Sequence, residues 1–278
     1  MNTYGFIGCG NMGGILAACC AKRFGADTLL CDHNTNKTAA IAEKTGAIPT
    51  DAEQIAMRCR YIFFGVKPQA LPALLTELQP LLDKRSEKPV LVSMAAGVCI
   101  DKIAHILPDC PIIRIMPSTP AEVGKGVILY CPSKAVTEID IRGFLDALSE
   151  AGTLEAIDED HIDAASALSG CGPAFVYLFI EALADGAVKC GLARDKALAL
   201  AARTVSGAGE MVLQSQKHPA RLKDAVCSPG GSTIAGIAAL EEHAFRAAAI
   251  AAVEAAYKRT KELAELSLTK KGLSLMQE

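Results

Sequence analysis

The sequence contains no tryptophan, and with 8 phenylalanines and 5 tyrosines aromatic residues make up only 5% of its 278 residues. Its core must be aliphatic and rich in small side chains, a composition that lets helices approach closely. An excess of one charge is also missing: 28 Lys and Arg stand against 31 Asp and Glu, for a net charge of −3 and an isoelectric point near 6.0. Without a cationic field the chain is not built to hold nucleic acid or an anionic membrane. No stretch supplies the ~18 uninterrupted apolar residues of a bilayer span; residues 89–100 are too short and include Ser93. Residues 1–7 lack the basic and apolar regions of a secretion signal. The 11 cysteines are odd in number and form no C-x-x-C pair, which argues against a disulfide framework and a zinc site. Reduced thiols acting as small apolar side chains in the cytoplasm are expected instead.

What is present is ordinary globular chemistry, 51% hydrophobic and 21% charged, with chain enough for two domains. Apolar runs over 4–7, 28–31, 61–66, 89–93, 111–115 and 126–130 read as strands. Helical spacing fills the intervals at 12–24, 36–44, 71–82, 100–107 and 135–149, with Gly25 and Gly46 as stops. Continuous apolar strands separated by helices predict a parallel sheet covered on both faces. From Asp160 onward no strand is expected. Helices are predicted over 160–168, 173–189, 194–214, 219–226 and, as one long element, 233–266, with Gly191 as a stop. The last of these carries Glu254/Lys258, Lys258/Glu262 and Lys261/Glu265 on one side and Ile250, Val253 and Tyr257 among alanines on the other. That broad apolar stripe calls for partner helices, and isologous pairing into a dimer is the natural solution. Residues 269–278 read as a frayed tail. The division is a sheet domain at 1–158 and a helical domain for substrate binding and dimerisation at 159–278.

Gly8-Cys9-Gly10-Asn11-Met12-Gly13 matches G-x-G-x-x-G between a strand, ending at Ile7, and a helix. In that context the glycines allow a tight turn, close approach of a pyrophosphate, and helix–strand packing, while helix-end amides face the phosphates. The pattern predicts a doubly wound, Rossmann-type dinucleotide fold. Asp32 ends the second strand where an acid would bind the adenosine ribose and favours a free 2′-hydroxyl; His33, Asn34 and Lys37 suit a 2′-phosphate. The cofactor is NAD or NADP, and these residues do not choose between them. Gly65-Val66-Lys67-Pro68 and Ser93-Met94-Ala95-Ala96-Gly97 follow later strands at the ligand-binding edge. There Lys67 is either a cation for the phosphates or a solvated loop residue. The small residues admit a flat nicotinamide or serve helix–sheet packing.

In the second half, Ser228-Pro229-Gly230-Gly231-Ser232-Thr233 cannot propagate a helix but can start one. It is either an ordinary turn capped by Ser232 or Thr233, or an anion pocket of amides and hydroxyls suited to a carboxylate. Ser169-Gly170-Cys171-Gly172-Pro173 breaks one helix and starts another, as a helix crossover or a wall of the site. His33, His105, His161, His218 and His243 have no acidic partner at the spacing of a triad or metal site. Glu159 and Asp160 form an acidic pair at the domain junction. A reaction that needs no strong protein base fits this inventory.

These segments, with Met116-Pro117-Ser118-Thr119-Pro120 and Leu222-Lys223-Asp224 in order along nearly the whole chain, resemble the pyrroline-5-carboxylate reductases. The resemblance implies hydride transfer from NAD(P)H to the C=N bond of 1-pyrroline-5-carboxylate, giving L-proline. It implies cofactor contacts from Ile7, Gly8, Cys9, Gly10, Asn11, Met12, His33, Gly65, Val66, Lys67, Pro68, Met94, Ala95, Ala96 and Glu159. Ser228, Ser232 and Thr233 would hold the substrate, with Thr233 as the catalytic hydrogen-bond donor. It also implies dimers built through the helical domain, often assembled into larger rings. Ser118, Ala225 and Ala52 depart from the asparagines usual in that family. A β-hydroxyacid dehydrogenase or another imine reductase of the same architecture, and a non-catalytic dinucleotide-binding regulator, are the competing expectations. Lys189 and Lys223 are the candidate bases for the hydroxyacid reaction. Cys9 and Cys171, both in glycine-flanked turns, are candidates for oxidant sensitivity.

Overall fold

Tyr4–Ile7 (β1) is apolar at every position because both faces of the strand are covered; all four residues are buried. The computed structural model describes residues 3–266. Seven strands join β1: Thr28–Cys31 (β2), Ile48–Pro49 (β3), Tyr61–Phe64 (β4), Val90–Ser93 (β5), Ile112–Met116 (β6), Gly126–Pro132 (β7) and Gly152–Ala156 (β8). Their order is β3-β2-β1-β4-β5-β6-β7-β8, a doubly wound sheet whose order reverses between β1 and β4, where ligands bind in such folds. Helices Asn11–Phe24 (α1) and Glu138–Ala147 (α6) place Leu16 and Phe144 with Tyr4, Phe6 and Phe63 in one apolar layer. Ala52–Arg58 (α3), Leu71–Asp83 (α4), Ile100–Ile106 (α5) and Glu159–Ser169 (α7) contribute Ile55, Leu75, Ile103 and Ile162 to the other, with Ile62 and Phe64. Thr35–Thr45 (α2) is capped by Asn34 at one end and by left-handed Gly46 (φ 76°) at the other.

The sheet is parallel as expected except at one pair: β7 runs antiparallel to β6. Only residues 117–125 join them, with a short 3-10 turn at Thr119–Val123, and a parallel crossover needs about a dozen residues or more. The two-residue β3 and the seven-residue α3 are too short to leave a periodic signature. Asp51 nonetheless caps α3, accepting from Gln54 N at 2.7 Å.

The chain divides into two units, Met1–Cys171 with Ala256–Glu278, and Gly172–Ala255. Thus α7 belongs to the sheet unit, because Ile162 is fully buried in its core. In the second unit Gly172–Lys189 (α8) and Arg194–Ser215 (α9) pair around Ala184, Ala197 and Ala201. These are followed by Pro219–Ala225 (α10), Ser232–Glu242 (α11) and Phe245–Leu266 (α12). Among the described residues no strand follows Ala156. This small alanine core leaves Val176, Tyr177, Leu178, Leu213 and Ile250 exposed. By length and composition alone Glu159–Lys189 could cross a bilayer. Ser, Gly, Glu and Asp interrupt the stretch, so it contains no long uninterrupted apolar run. The break expected near Gly170 is slight: Gly170 keeps helical dihedrals and Cys171 N donates to Ser166 O at 3.3 Å. The tail expected at 269–278 lies outside the described residues.

The single helix expected over 233–266 is in fact two. Ala244 stands between α11 and α12 in the left-handed region at φ 56°. Alanine is the best helix former, so neither composition nor periodicity announced a stop. A left-handed alanine costs ~1–2 kcal/mol that glycine avoids. Ala244→Gly should therefore stabilise the protein by about 1 kcal/mol, after allowing for the freer unfolded chain. Thermal denaturation beside the parent checks this; an unchanged or lower midpoint would count against the assigned backbone.

Candidate functional site

In-register pairing sets Cys31, Ile7, Phe64, Ser93, Arg114 and Cys131 in one row across the sheet. The turns that begin at Gly8, Gly65 and Met94 therefore emerge side by side. Gly8 has φ +93°, and a Cβ there would lie 2.7 Å from the carbonyl carbon of Gly65. A Cβ on Gly13 would sit 2.0 Å from Gly8 O, and one on Gly65 2.2 Å from the same oxygen. Gly8, Gly13 and Gly65 thus close a backbone contact that admits no side chain. At Gly10, by contrast, a Cβ would meet nothing within 4 Å. This glycine keeps space clear outside the fold. It is the N-cap of α1, and no side chain caps that helix. Open amides beside an empty approach fit a dinucleotide pyrophosphate.

Asp32 does not reach outward as a ribose ligand would. Its side chain is 3% exposed; Oδ2 accepts from Cys9 N at 2.8 Å and Oδ1 from Asn34 N at 2.9 Å. A buried carboxylate requires donors, and the glycine turn supplies them. Asn34 is also committed, its Oδ1 accepting from Asn36 N; His33 is 93% exposed with Nδ1 3.4 Å from Asp32 Oδ1, and Lys37 is exposed. Asp32→Asn places an amide NH₂ against an N–H and should raise the KM for NADPH and NADH alike, by about five- to tenfold. Steady-state kinetics with both cofactors checks this; an effect confined to NADH would identify a ribose contact instead.

On the neighbouring turns Lys67 is exposed, Met94 half-buried, Ala95 buried and Ala96 exposed. Lys102 Nζ donates to Gly97 O at 3.0 Å, and Ser93 Oγ accepts from Ala95 N. Glu159 Oε1 accepts from Ile100 N at 2.8 Å and pairs with Arg114 Nη1 at 3.3 Å. Arg114 and its second partner Asp163 escaped the sequence reading. The signal was there: an arginine inside the apolar run Ile112-Ile113-Arg114-Ile115 must find buried partners. Of the family departures, Ser118 Oγ accepts from Val127 N at 2.9 Å and ties its turn to β7; Ala52 opens α3 and Ala225 closes α10. Cys9 is no exposed thiol. It is 3% exposed, and burial, reinforced by Asp32, pushes its pKa up to about 12. Cys171 is partly exposed.

In the second unit Gly230 (φ 69°) turns the chain and Gly231 N donates to Ser228 O at 3.0 Å. The N-cap of α11 is Gly231, not Ser232 or Thr233, which occupy the first helical turn. No side chain caps this end, so the ordinary capped turn is not what forms. Ser228, Ser232 and Thr233 are exposed, the last two in the first turn of a helix whose end carries no side-chain cap and is positive.

Comparison with known proteins agrees with this geometry. Residues 159–263 match the family model described as pyrroline-5-carboxylate reductase dimerisation, and residues 3–97 match one described as NADP oxidoreductase, coenzyme F420-dependent. The chain is 40% identical to the pyrroline-5-carboxylate reductase of Pisum sativum over 265 residues, covering 94% of this chain and 96% of that one. Identity to the Escherichia coli K12 enzyme of the same name is 38% over 268 residues, covering 94% and 98%. Among solved structures, the Plasmodium falciparum pyrroline carboxylate reductase with NADP bound superposes with a TM-score of 0.83 at 33% identity, over 95% of this chain and 98% of that one. The Coxiella burnetii enzyme gives 0.85 at 30%, over 94% and 98%. A dinucleotide turn, an open helix end beside three hydroxyls, and similarity along almost the full length lead to one assignment: the chain belongs to the pyrroline-5-carboxylate reductase family.

Proposed function

We propose that the chain reduces the C=N bond of 1-pyrroline-5-carboxylate to give L-proline, with NADPH or NADH as reductant. The observation that carries this reading is the uncapped start of α11 with Ser228, Ser232 and Thr233 around it. The substrate is a small carboxylate, and amides at a positive helix end together with hydroxyls are the donors a carboxylate takes. The residues we assign to the cofactor are Ile7 to Met12, His33, Gly65 to Pro68, Met94 to Ala96, and Glu159. Asp32 acts behind them by holding Cys9 N. The reduced dinucleotide, when bound, supplies the hydride.

A cyclic imine is more electrophilic when protonated, and the substrate can arrive carrying that proton. The protein's task is then to orient the ring and exclude water. Where the imine arrives unprotonated, the Thr233 hydroxyl donates to the lone pair of the ring nitrogen and assists its protonation. The hydroxyacid alternative needs a base. Lys223 Nζ pairs with Asp224 Oδ1 at 2.8 Å, and that hydrogen bond raises its pKa, so it holds its proton when a base must accept one. Lys189 is exposed at the end of α8.

The faces bearing Tyr177, Leu178, Leu213 and Ile250 are those we assign to a second copy of the chain, in keeping with the dimerisation family match. Eleven free cysteines suit a reducing compartment such as the cytoplasm. The functional boundary is drawn at 158/159. The test is NADPH and NADH oxidation with 1-pyrroline-5-carboxylate, run beside hydroxyacid oxidation on protein whose mass is set by sedimentation equilibrium. Turnover of the imine by an oligomer is expected. No imine turnover would reject the activity, and monomer alone at micromolar concentration would reject the second copy.

A further inference from the structure

Arg114 lies in the row of residues from which the cofactor turns emerge, paired in register with Ser93 on one side and Cys131 on the other. Its side chain is 4% exposed, and the guanidinium is forked between two acids of α7. Nη1 meets Glu159 Oε1 at 3.3 Å and Nη2 meets Asp163 Oδ1 at 2.6 Å. Nε is buried without a partner. Packing alone gives little reason for this arrangement. A buried charge cluster with one unmet donor is commonly no more stable than apolar residues of the same size. The geometry gives it another use. Glu159 Oε1 receives two donors, Arg114 Nη1 and Ile100 N, the amide that begins α5 three residues after the Met94–Gly97 turn. The side chain is still 28% exposed. Two donors on one oxygen restrict the carboxylate, and among the described residues no donor meets its other oxygen.

We propose that Arg114 is a positioning residue for cofactor binding: with Ile100 N it fixes Glu159 so that the free carboxylate oxygen accepts from the carboxamide N–H of the nicotinamide. This rests on the reductase reading above. At that end of a dinucleotide the carboxamide presents two N–H donors beside the ribose hydroxyls, and a fixed carboxylate oxygen is an acceptor suited to it. Asp163 holds the far side of the guanidinium and keeps the fork from swinging.

The test measures the Kd of NADPH by fluorescence titration, in the absence of imine, for Arg114→Lys, Arg114→Met, Glu159→Gln and Arg114→Met/Glu159→Gln, with thermal midpoints and imine kinetics recorded in parallel. Arg114→Met and Glu159→Gln should each weaken NADPH about tenfold, the size of one charge-assisted hydrogen bond, with the KM for the imine within about twofold. The double variant should be no weaker than the worse single, because both act through one contact. Arg114→Lys keeps the charge without the fork and should fall between. If Arg114→Met does not fold, a threefold or greater loss in Arg114→Lys carries the prediction. A lowered midpoint with parental NADPH affinity in the folded variants, or additive losses in the double variant, would overturn it. Failure of the reductase reading looks different: the parent would bind NADPH and leave the imine untouched.

Discussion

Gly13→Ala should lose dinucleotide binding by about a hundredfold or more (roughly 2.8 kcal/mol) and lose stability as well, whereas Gly10→Ala should lose binding alone. The two residues lie three apart in one motif and do opposite things. An added methyl at position 13 meets the Gly8 carbonyl oxygen at 2.0 Å and the Gly65 Cα at 3.3 Å. Both are backbone atoms of adjoining turns, so neither can rotate away. The start of α1 must shift against β1 and β4, with a destabilisation of about 3 kcal/mol, the upper end for overpacking. At position 10 the same methyl enters open space, so the midpoint should stay close to the parent's; only a ligand approaching that backbone feels it. Calorimetric titration with NADPH and thermal denaturation of both variants separate the roles. Parental affinity in Gly10→Ala would mean that the pyrophosphate lies elsewhere, and parental stability in Gly13→Ala would contradict the packing of α1 on the strands.

The second large effect belongs to Thr233. Replacing it with alanine should reduce kcat/KM for the imine by about 10- to 1,000-fold, the range of a lost positioning or proton-donating contact. Thr233 is exposed and makes no capping bond, so the protein should unfold at its parental midpoint. Thr233→Ser retains a hydroxyl and should recover most of the rate, which a role confined to packing of the methyl would not allow. NADPH affinity should be unaffected in both. Parental kcat/KM in Thr233→Ala would remove the hydroxyl from the mechanism and leave the carboxylate to Ser228, Ser232 and the helix amides.

Much of this site could be read from local pattern. The turn from Gly8 to Gly13 is recognisable because each glycine answers a constraint within one strand–turn–helix unit. The segment from Ser228 to Thr233 is recognisable because Pro-Gly-Gly interrupts helical spacing. Three features were set by contacts that are not local. Asp32 occupies the ribose-binding position, yet its carboxylate turns back to Cys9 N and Asn34 N, because burial demanded donors and the nearest were main-chain amides. Ser232 and Thr233 are good capping residues but fall inside the helix, since Gly231 took the N-cap position. Ala244 interrupts a run of helix formers with no residue that announces a stop.

The amino-acid order alone therefore determined the element types, the doubly wound parallel core, the dinucleotide turn and the helical second half. Those features follow from hydrophobic period and from backbone freedom at glycine and proline, which act over a few residues. Only the folded chain decided the reversal of β7, the gathering of Arg114, Glu159 and Asp163 from β6 and α7, and the pinning of Glu159 by an amide 59 residues away. The reason is that buried charges and unpaired amides are satisfied by whatever tertiary packing brings within about 3 Å. Separation along the chain places no limit on that choice.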